Sequence, residues 1–317
     1  MEVGLKLRAI EEARQRVAPH LVKTPVVTNA RLDQEFGASF YFKCENLQLG
    51  GAFKARGAFN AVFSLTEEEA ARGVVTHSSG NHAGALALAA RARGIPAWIV
   101  MPNDVPTVKA ANVEAAGARI VYCEPTLEAR EGAARELLAE HGATLVHPYN
   151  DYRVMAGQGT VALELLEQAP PPDVILAPVS GGGLLSGIAT AARAVSPKTR
   201  LIGVEPAGAD DAARSFQAGR LVAGGTPRTL ADGLRATLGD KTFPLIRQHV
   251  DEMVTVSEEG IVAAMRLLWD RLKLVIEPSA AVVFAAVMEG KTAVSGRRVS
   301  LVLTGGNVDL ARLPWSK

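Results

Sequence analysis

The sequence predicts an α/β protein with two open, twisted and mostly parallel sheets, each flanked by helices. Short runs rich in β-branched residues alternate with longer alanine- and leucine-rich stretches of helical period, a pattern typical of βαβ units. These runs fall into two series along the chain. Because 317 residues exceed one typical domain, we expect two domains, with the smaller one inserted in the larger one.

The first series, in the middle of the chain, predicts a compact four-stranded unit. Each helix candidate between its strands ends at a glycine, the residue that most often terminates a helix. We assign residues 66–149 to this small domain. Its strand candidates are residues 73–79, 97–102, 119–125 and 144–150.

The second series predicts a larger sheet with helices between its strands. Residues 25–46 have the pattern of a strand, a helix and a second strand, and we attach them to this sheet. The large domain would then comprise residues 1–65 and 150–317. Its other strand candidates are residues 173–180, 200–206, 252–257 and 298–306.

Composition excludes several classes of protein. The 34 basic and 33 acidic residues leave a net charge of +1 and no basic face, so neither nucleic acid nor an anionic membrane is an expected partner. No apolar run approaches the roughly 20 residues that a membrane helix needs. The two cysteines, Cys44 and Cys123, are too few for a disulfide framework and predict free thiols. We therefore expect a soluble, cytoplasmic protein.

Ligands of open α/β sheets bind beyond the carboxyl ends of the strands, and one turn there is the Ser-Gly-Gly-Gly of residues 180–183. Its backbone N–H groups, together with the N-terminus of the following helix, can face one anion, which indicates a phosphate site. A tight turn that only permits close packing is the alternative. A nicotinamide dinucleotide also remains open here, since Gly181, Gly183 and Ser186 with Glu205 loosely imitate its fingerprint.

The stretch Ser-Ser-Gly-Asn-His at residues 78–82 repeats this plan in the other unit. It is dense in hydrogen-bond donors and precedes a predicted helix, so it can hold a substrate carboxylate with help from the helix dipole. An ordinary N-cap serine followed by a turn asparagine would explain only one or two of these five residues.

Lys54 follows two glycines and opens a helix of small and apolar residues. A lysine on a helix is ordinarily a solvated charge. A phosphate site elsewhere in the chain, however, requires a reactive group for the other end of the bound molecule. An amine desolvated in these surroundings would have a lowered pKa and an available lone pair. A Schiff base between Lys54 and pyridoxal phosphate meets both requirements.

Six motifs in this order resemble the pyridoxal-phosphate enzymes of the tryptophan-synthase-β fold type, also called fold type II. Within that group the sequence is most similar to the threonine/serine dehydratases and to serine racemase. The resemblance covers nearly the whole chain and implies that the cofactor lies in the cleft between the two domains. The motifs are FKCENLQLGGAFKARGA, THSSGNHAGALA, SGGGLLSG, GVEPAGADD, IEPSAA and LTGGNVD.

The resemblance implies a role for each residue around the cofactor. Lys54 would form the Schiff base, and Phe53 would lie near the cofactor ring. Asn81 would bind the phenolic oxygen of the ring, and the hydroxyl of Thr304 would meet the pyridine nitrogen. The phosphate would be seated on the backbone N–H groups of Ser180, Gly181, Gly182, Gly183 and Leu184.

The resemblance also implies how substrate is held and where a proton is exchanged. Ser79 falls where serine racemase has its second acid/base, on the cofactor face opposite the lysine. The residues that would hold the substrate carboxylate are Ser78, Ser79, Gly80, Asn81 and His82.

A divalent cation is implied by analogy with the metal-dependent members. Its ligands would be the carboxylates of Glu205 and Asp211 and the carbonyl oxygen of Ala209. These hard oxygen ligands suit Mg²⁺ or Ca²⁺ rather than zinc.

We expect a threonine/serine ammonia-lyase that converts L-threonine to 2-oxobutanoate and ammonia, and L-serine to pyruvate and ammonia. Serine racemase with dehydratase side activity is the alternative. A β-replacement enzyme of the cysteine-synthase type and a ligand-sensing module are further alternatives, whereas a nicotinamide dehydrogenase would give Lys54 no role. A small amino acid is the expected substrate, and a homodimer or homotetramer is the expected assembly.

Overall fold

The computed structural model describes residues 4–78, 80–105 and 107–315. These residues form ten strands and thirteen α-helices. The strands are β1 (Val26–Val27), β2 (Ser39–Cys44), β3 (Val74–His77), β4 (Ala97–Pro102), β5 (Arg119–Cys123), β6 (Thr144–Leu145), β7 (Val174–Pro178), β8 (Arg200–Pro206), β9 (Glu252–Val256) and β10 (Arg298–Leu303). The helices are α1 (Leu7–Val17), α2 (Ala30–Phe36), α3 (Lys54–Phe63), α4 (Glu67–Arg72), α5 (Asn81–Arg93), α6 (Thr107–Ala115), α7 (Leu127–His141), α8 (Tyr152–Gln168), α9 (Gly183–Val195), α10 (Asp211–Ala218), α11 (Thr242–His249), α12 (Glu258–Leu272) and α13 (Pro278–Met288).

Six strands form the larger sheet, in the order β1-β2-β10-β7-β8-β9. All neighbouring pairs in it are parallel except β1 with β2, which are antiparallel. The strand–helix–strand segment near the N-terminus therefore joins the sheet built by the second half of the chain. The other four strands form a parallel sheet in the order β5-β4-β3-β6. The prediction of an α/β fold with two mostly parallel sheets is confirmed.

Both faces of the larger sheet are covered. Along β7, Val174 and Leu176 pack into one core with α12 and α13, while Ile175 and Ala177 pack into another with α8 and α9. This alternation follows from the two-residue period of a strand, whose side chains point to opposite faces. A strand that is buried on both faces has a continuous run of apolar residues, and this is why β7 could be predicted from the sequence.

Helix α3, which begins at Lys54, packs against both α5 and α8. Its small and apolar residues, including Ala58 and Phe59, belong to the core under the smaller sheet. The predicted domain limits at about residues 65 and 150 remain a prediction. The first residue of this helix nevertheless lies where the two halves of the molecule meet, because α8 belongs to the core of the larger sheet.

A network of four buried charged side chains anchors α3. Arg56, of which 1% is exposed, donates hydrogen bonds to Glu45 at 2.7 and 2.8 Å and to Glu164 at 2.8 Å. Lys43, which is fully buried, donates to Glu164 at 2.7 Å. Two cations thus face two anions, which is the arrangement that makes buried charges tolerable.

Two further predictions concern the cysteines and membrane spans. Cys44, at the end of β2, and Cys123, at the end of β5, are both free cysteines. Within the described part of the chain, no helix is both long and apolar enough to cross a membrane.

Candidate active site

The carboxyl end of β10 holds the turn that carries Lys54. The backbone N–H of Phe53 donates to the carbonyl oxygen of Thr304 at 3.0 Å, and that of Gly306 donates to Gly51 at 2.9 Å. Ala52 and Gly305 form an isolated antiparallel bridge between these two contacts. The glycine-rich turn is therefore fastened to the end of the strand, and Thr304, a buried residue, lies beside the lysine turn.

The amine of Lys54 is turned into the molecule. Nζ donates a hydrogen bond to the carbonyl oxygen of Pro148 at 3.0 Å and lies 5.1 Å from the centre of the Phe53 ring. Burial lowers the pKa of this amine to about 8, against the smaller opposing effect of the Glu277 carboxylate. A substantial fraction of Lys54 is thus neutral near neutral pH, as a nucleophile or general base requires.

The loop after β7 has little room for side chains. A Cβ on Gly181 would lie 2.3 Å from the ring of Tyr149, and Gly182 has a φ of +88°, which favours glycine. The Ser180 hydroxyl accepts from the N–H of Ala236 at 2.9 Å and donates to its carbonyl at 3.0 Å. Helix α9 begins immediately afterwards, and Leu184 lies in its first turn. The loop is held rigidly at a helix N-terminus, the position at which anions bind.

The lysine and this loop meet through two adjacent residues. Pro148 accepts from Lys54, and the next residue, Tyr149, has its ring against Gly181. Both follow β6 of the smaller sheet. The structure therefore brings together Lys54, Phe53, Thr304 and the loop of residues 180–183, as the sequence predicts. Their individual roles toward a cofactor stay predictions.

The predicted carboxylate loop follows β3 and leads into α5. Ser79 lies outside the described residues. The N–H of Gly80 donates to the Ser78 hydroxyl at 3.4 Å, and Asn81 is the first residue of α5. The N–H groups of the first turn of a helix lack partners within the helix, so this end of α5 offers donors to an anion.

Asn81 makes contacts that the sequence analysis did not anticipate. Its side-chain Nδ2 donates to both carboxylate oxygens of Glu277, at 3.0 and 3.2 Å. Its Oδ1 accepts from Nδ2 of Asn307 at 3.0 Å. Glu277 belongs to the IEPSAA motif, to which no role was given. The one available signal was a glutamate between isoleucine and proline in an otherwise apolar stretch.

Two histidines near the lysine are held neutral. Burial, with a smaller contribution from the Lys54 charge, lowers the pKa of His82 to about 3. Burial, with smaller contributions from His77 and Lys54, lowers the pKa of His147 to about 4. His82 Nε2 contacts the Val146 carbonyl at 3.1 Å, whereas its buried Nδ1 has no partner within the described residues. His147 and Tyr149 lie within the strand candidate of residues 144–150, but the observed strand β6 ends at Leu145 and both residues follow it. A correct strand end would have pointed to them, because ligands bind beyond strand ends.

Glu205 and Asp211 lie at the carboxyl end of β8. The Glu205 carboxylate accepts from the N–H groups of Ala212 at 3.3 Å and Ala213 at 2.6 Å. Burial raises its pKa to about 8, and the neighbouring Asp211 carboxylate adds to this rise. Among the described residues, no group of three or more histidine, cysteine, aspartate or glutamate side chains could hold a metal ion. The predicted set has only two such side chains, so a cation here remains a prediction.

The site as a whole fits pyridoxal phosphate. The cofactor needs an amine that is partly neutral and a seat of backbone N–H groups for its phosphate. Lys54 has a pKa of about 8, and the loop at Gly181 has no room for even one added Cβ. Thr304, which is buried, and Phe53, which is half-buried, lie beside the lysine.

Comparison with known proteins identifies the family. The family model for pyridoxal-phosphate dependent enzymes matches residues 17–305. Serine racemase of Arabidopsis thaliana is 50% identical over 310 residues, which cover 96% of this chain and 94% of the relative. The β-hydroxyaspartate dehydratase of Paracoccus denitrificans (strain Pd 1222) is 48% identical over 304 residues, which cover 96% of each.

A solved structure supports the same assignment. That of maize serine racemase superimposes with a TM-score of 0.95 and 45% identity, over 97% of this chain and 95% of that one. The predicted resemblance is confirmed: the chain belongs to the pyridoxal-phosphate dependent enzymes of fold type II.

Proposed function

We propose that this protein is a serine racemase with ammonia-lyase side activity. The observation that carries the choice of reaction is the 50% identity to a serine racemase over 96% of this chain. The partly neutral Lys54 amine, held against Pro148, supports catalysis with pyridoxal phosphate in general. The sequence analysis placed the ammonia-lyase reaction first. The similarity to serine racemases along almost the whole chain favours the reverse order.

Lys54 would move the α-proton of the substrate on one face. Pyridoxal phosphate, when bound, withdraws electrons from the α-carbon and so makes its proton acidic. The Nζ atom of Lys54 then accepts that proton, which its lowered pKa permits near neutral pH. The surrounding residues exclude water from the amine, and this disfavours its protonated form.

Racemisation needs a second proton carrier on the opposite face. Ser79 is the proposed donor, on the basis of the sequence motif alone. The N-terminus of α5, with Gly80 and the Ser78 hydroxyl, would hold the substrate carboxylate and so fix which face the serine meets. Loss of the β-hydroxyl from the same deprotonated substrate would account for the ammonia-lyase reaction.

The test is incubation of the purified protein with L-serine while D-serine and pyruvate are both measured. We expect D-serine to form faster than pyruvate, and Ser79→Ala to abolish D-serine formation while pyruvate formation persists. Pyruvate or 2-oxobutanoate production without D-serine would establish the ammonia-lyase reading instead.

A 3-hydroxyaspartate ammonia-lyase is a second candidate. The relative from P. denitrificans acts on β-hydroxyaspartate by its name. Burial lowers the pKa of His77, and the charge of Arg130, on α7, is the next largest cause of that shift. Burial raises the pKa of Tyr149, which the Arg130 charge opposes. A cation there suits a second substrate carboxylate. Addition of 3-hydroxyaspartate to the same assay decides between the candidates, since a turnover well above that of serine would favour this one.

We also propose that Glu205, Asp211 and the Ala209 carbonyl bind Mg²⁺ or Ca²⁺. The buried Oδ2 of Asp211 has no hydrogen-bond partner among the described residues, and the Asp211 charge helps to raise the pKa of Glu205. Such groups suit a hard cation. An ion present at 100 times its dissociation constant would stabilise the fold by about 2.7 kcal/mol. We therefore expect chelation to lower the melting temperature.

A matched pair of variants tests the cation site. Asp211→Asn should remove the response of the melting temperature to Mg²⁺ or Ca²⁺. Asp210→Asn, which alters the neighbouring exposed carboxylate paired with Arg214, should keep it. Chelation that leaves both activity and melting temperature unchanged would remove the site from the proposal.

A further inference from the structure

Glu277 precedes helix α13, at a position where a side chain often caps the helix, but the Glu277 side chain does not cap it. It is the N-cap residue of α13, yet its carboxylate makes no capping hydrogen bond to that helix. The residue is buried, with 4% of its surface exposed. A buried carboxylate is costly unless it is paired and hydrogen-bonded, so its partners should explain its presence.

Those partners lie in the active site. The carboxylate accepts from Nδ2 of Asn81, at 3.0 Å to Oε1 and 3.2 Å to Oε2. Because a carboxylate only accepts hydrogen bonds, it must face the NH₂ end of the Asn81 amide. Asn307 reinforces this orientation, since its Nδ2 donates to Oδ1 of Asn81 at 3.0 Å and to the Gly50 carbonyl at 2.8 Å. The amide is therefore held from both ends.

The backbone of the TGGN turn holds Glu277 in place. Its N–H donates to the carbonyl oxygen of Gly305 at 2.9 Å, and a Cβ on Gly305 would lie 2.6 Å from Oε1. The same turn carries Thr304, whose carbonyl accepts from Phe53 beside Lys54. The carboxylate thus lies against the structure that fixes the lysine. Its charge also acts on the Lys54 amine, where it opposes the effect of burial.

We propose that Glu277 is a positioning residue, whose carboxylate fixes the orientation of the Asn81 amide and adds a negative charge to the surroundings of the Lys54 turn. This inference rests on the proposed function, because Asn81 and Lys54 matter only if they meet the cofactor. It assigns a role to the IEPSAA motif. Glu277 acts through its two neighbours and is not itself a proton carrier in the reaction.

The experiment mixes full-length, cofactor-free protein with pyridoxal 5′-phosphate between pH 6 and pH 10 and follows the visible absorbance of the bound molecule. The association rate reports the neutral fraction of Lys54, and the final amplitude reports the dissociation constant. The variants are Glu277→Gln, which removes the charge at constant shape, and Glu277→Asp, which keeps the charge but shortens the side chain. Glu289→Gln is the matched control, because Glu289 is the C-cap residue of the same helix and hydrogen-bonds Ser257 instead.

Glu277→Gln should move the midpoint of the rate profile about 1 pH unit lower, since a nearby opposite charge shifts a pKa by that amount or more. It should also weaken binding about 5-fold, the cost of one misplaced hydrogen bond. Glu277→Asp should keep the wild-type midpoint and still bind more weakly. Glu289→Gln should match wild type in both measurements.

The inference is overturned if Glu277→Gln behaves as wild type, or if Glu289→Gln shows the same changes. If Glu277→Gln does not fold, Glu277→Asp decides, because binding as tight as wild type would refute the positioning role. Failure of the proposed function looks different. In that case wild type acquires no visible absorbance, or Lys54→Ala acquires as much as wild type.

Discussion

Lys54→Ala is expected to lower D-serine formation and pyruvate formation together by at least about 10³-fold, because in the proposed function one side chain supplies both the cofactor attachment and the base. The variant should also fail to acquire a visible absorbance stable to gel filtration with pyridoxal phosphate. Lys241→Ala is the matched control. This exposed lysine lies near the site, with Nζ 5.7 Å from the Tyr152 ring, and its removal should leave turnover within about 3-fold of wild type. Retention of more than about a tenth of the activity by Lys54→Ala would contradict the assignment.

The pH dependence of Lys54 has a definite sign. Burial lowers the pKa of the amine to about 8, so the amine is protonated below that pH and neutral above it. At pH 7 about 10% of Lys54 is then neutral, against about 0.03% of an ordinary lysine. We expect cofactor attachment to the cofactor-free protein to accelerate as pH rises, with a midpoint near pH 8, and to level off about one pH unit higher. A midpoint near that of a solvated lysine would show that the amine is exposed to water.

Arg56→Ala is expected to lower the free energy of unfolding by about 3–5 kcal/mol. The substitution leaves the carboxylates of Glu45 and Glu164 in the interior without the guanidinium that donates to both. Lys43 remains, but of the two carboxylates it donates a hydrogen bond only to Glu164. Denaturant unfolding followed by far-ultraviolet circular dichroism measures the difference. Because Arg56 lies two residues after Lys54 in α3, weaker cofactor binding should accompany the loss of stability.

Arg14→Ala provides the comparison for Arg56. Arg14 pairs with Glu167, but the two side chains are 38% and 44% exposed. An exposed ion pair contributes about 1 kcal/mol or less, since water solvates both charges when the pair is broken. Equal decreases in the free energy of unfolding of the two variants would show that the buried network stabilises the fold no more than an exposed ion pair does.

Much of the fold could be predicted because its signals are local. Residues 173–180 read as a strand, and β7 covers Val174–Pro178. Gly94 and Gly142 end predicted helices and do adopt left-handed conformations as their C-caps. Apolar period and glycine conformation are properties of neighbouring residues, so they are legible without knowledge of distant contacts.

The candidate site was predictable only in part. The turns at Ser78, Ser180 and Thr304 follow strands, and the rule about carboxyl ends places such turns along one edge. The contact between Asn81 and Glu277 joins residues 196 positions apart and leaves no trace in the order of residues. Likewise the hydrogen bond from Lys54 to the Pro148 carbonyl depends on how the end of β6 meets α3.

The sequence by itself determined the fold class and the family, and it supplied Lys54 as the predicted site of cofactor attachment. Short stretches of sequence indicate each of these, such as consecutive glycines before a helix, which are typical of an anion site. Only the tertiary structure decided that the Lys54 amine is desolvated, that Tyr149 packs on Gly181 and that Glu277 faces Asn81. These features depend on burial and on sheet register, which arise when the whole chain packs and every segment limits the positions of the others.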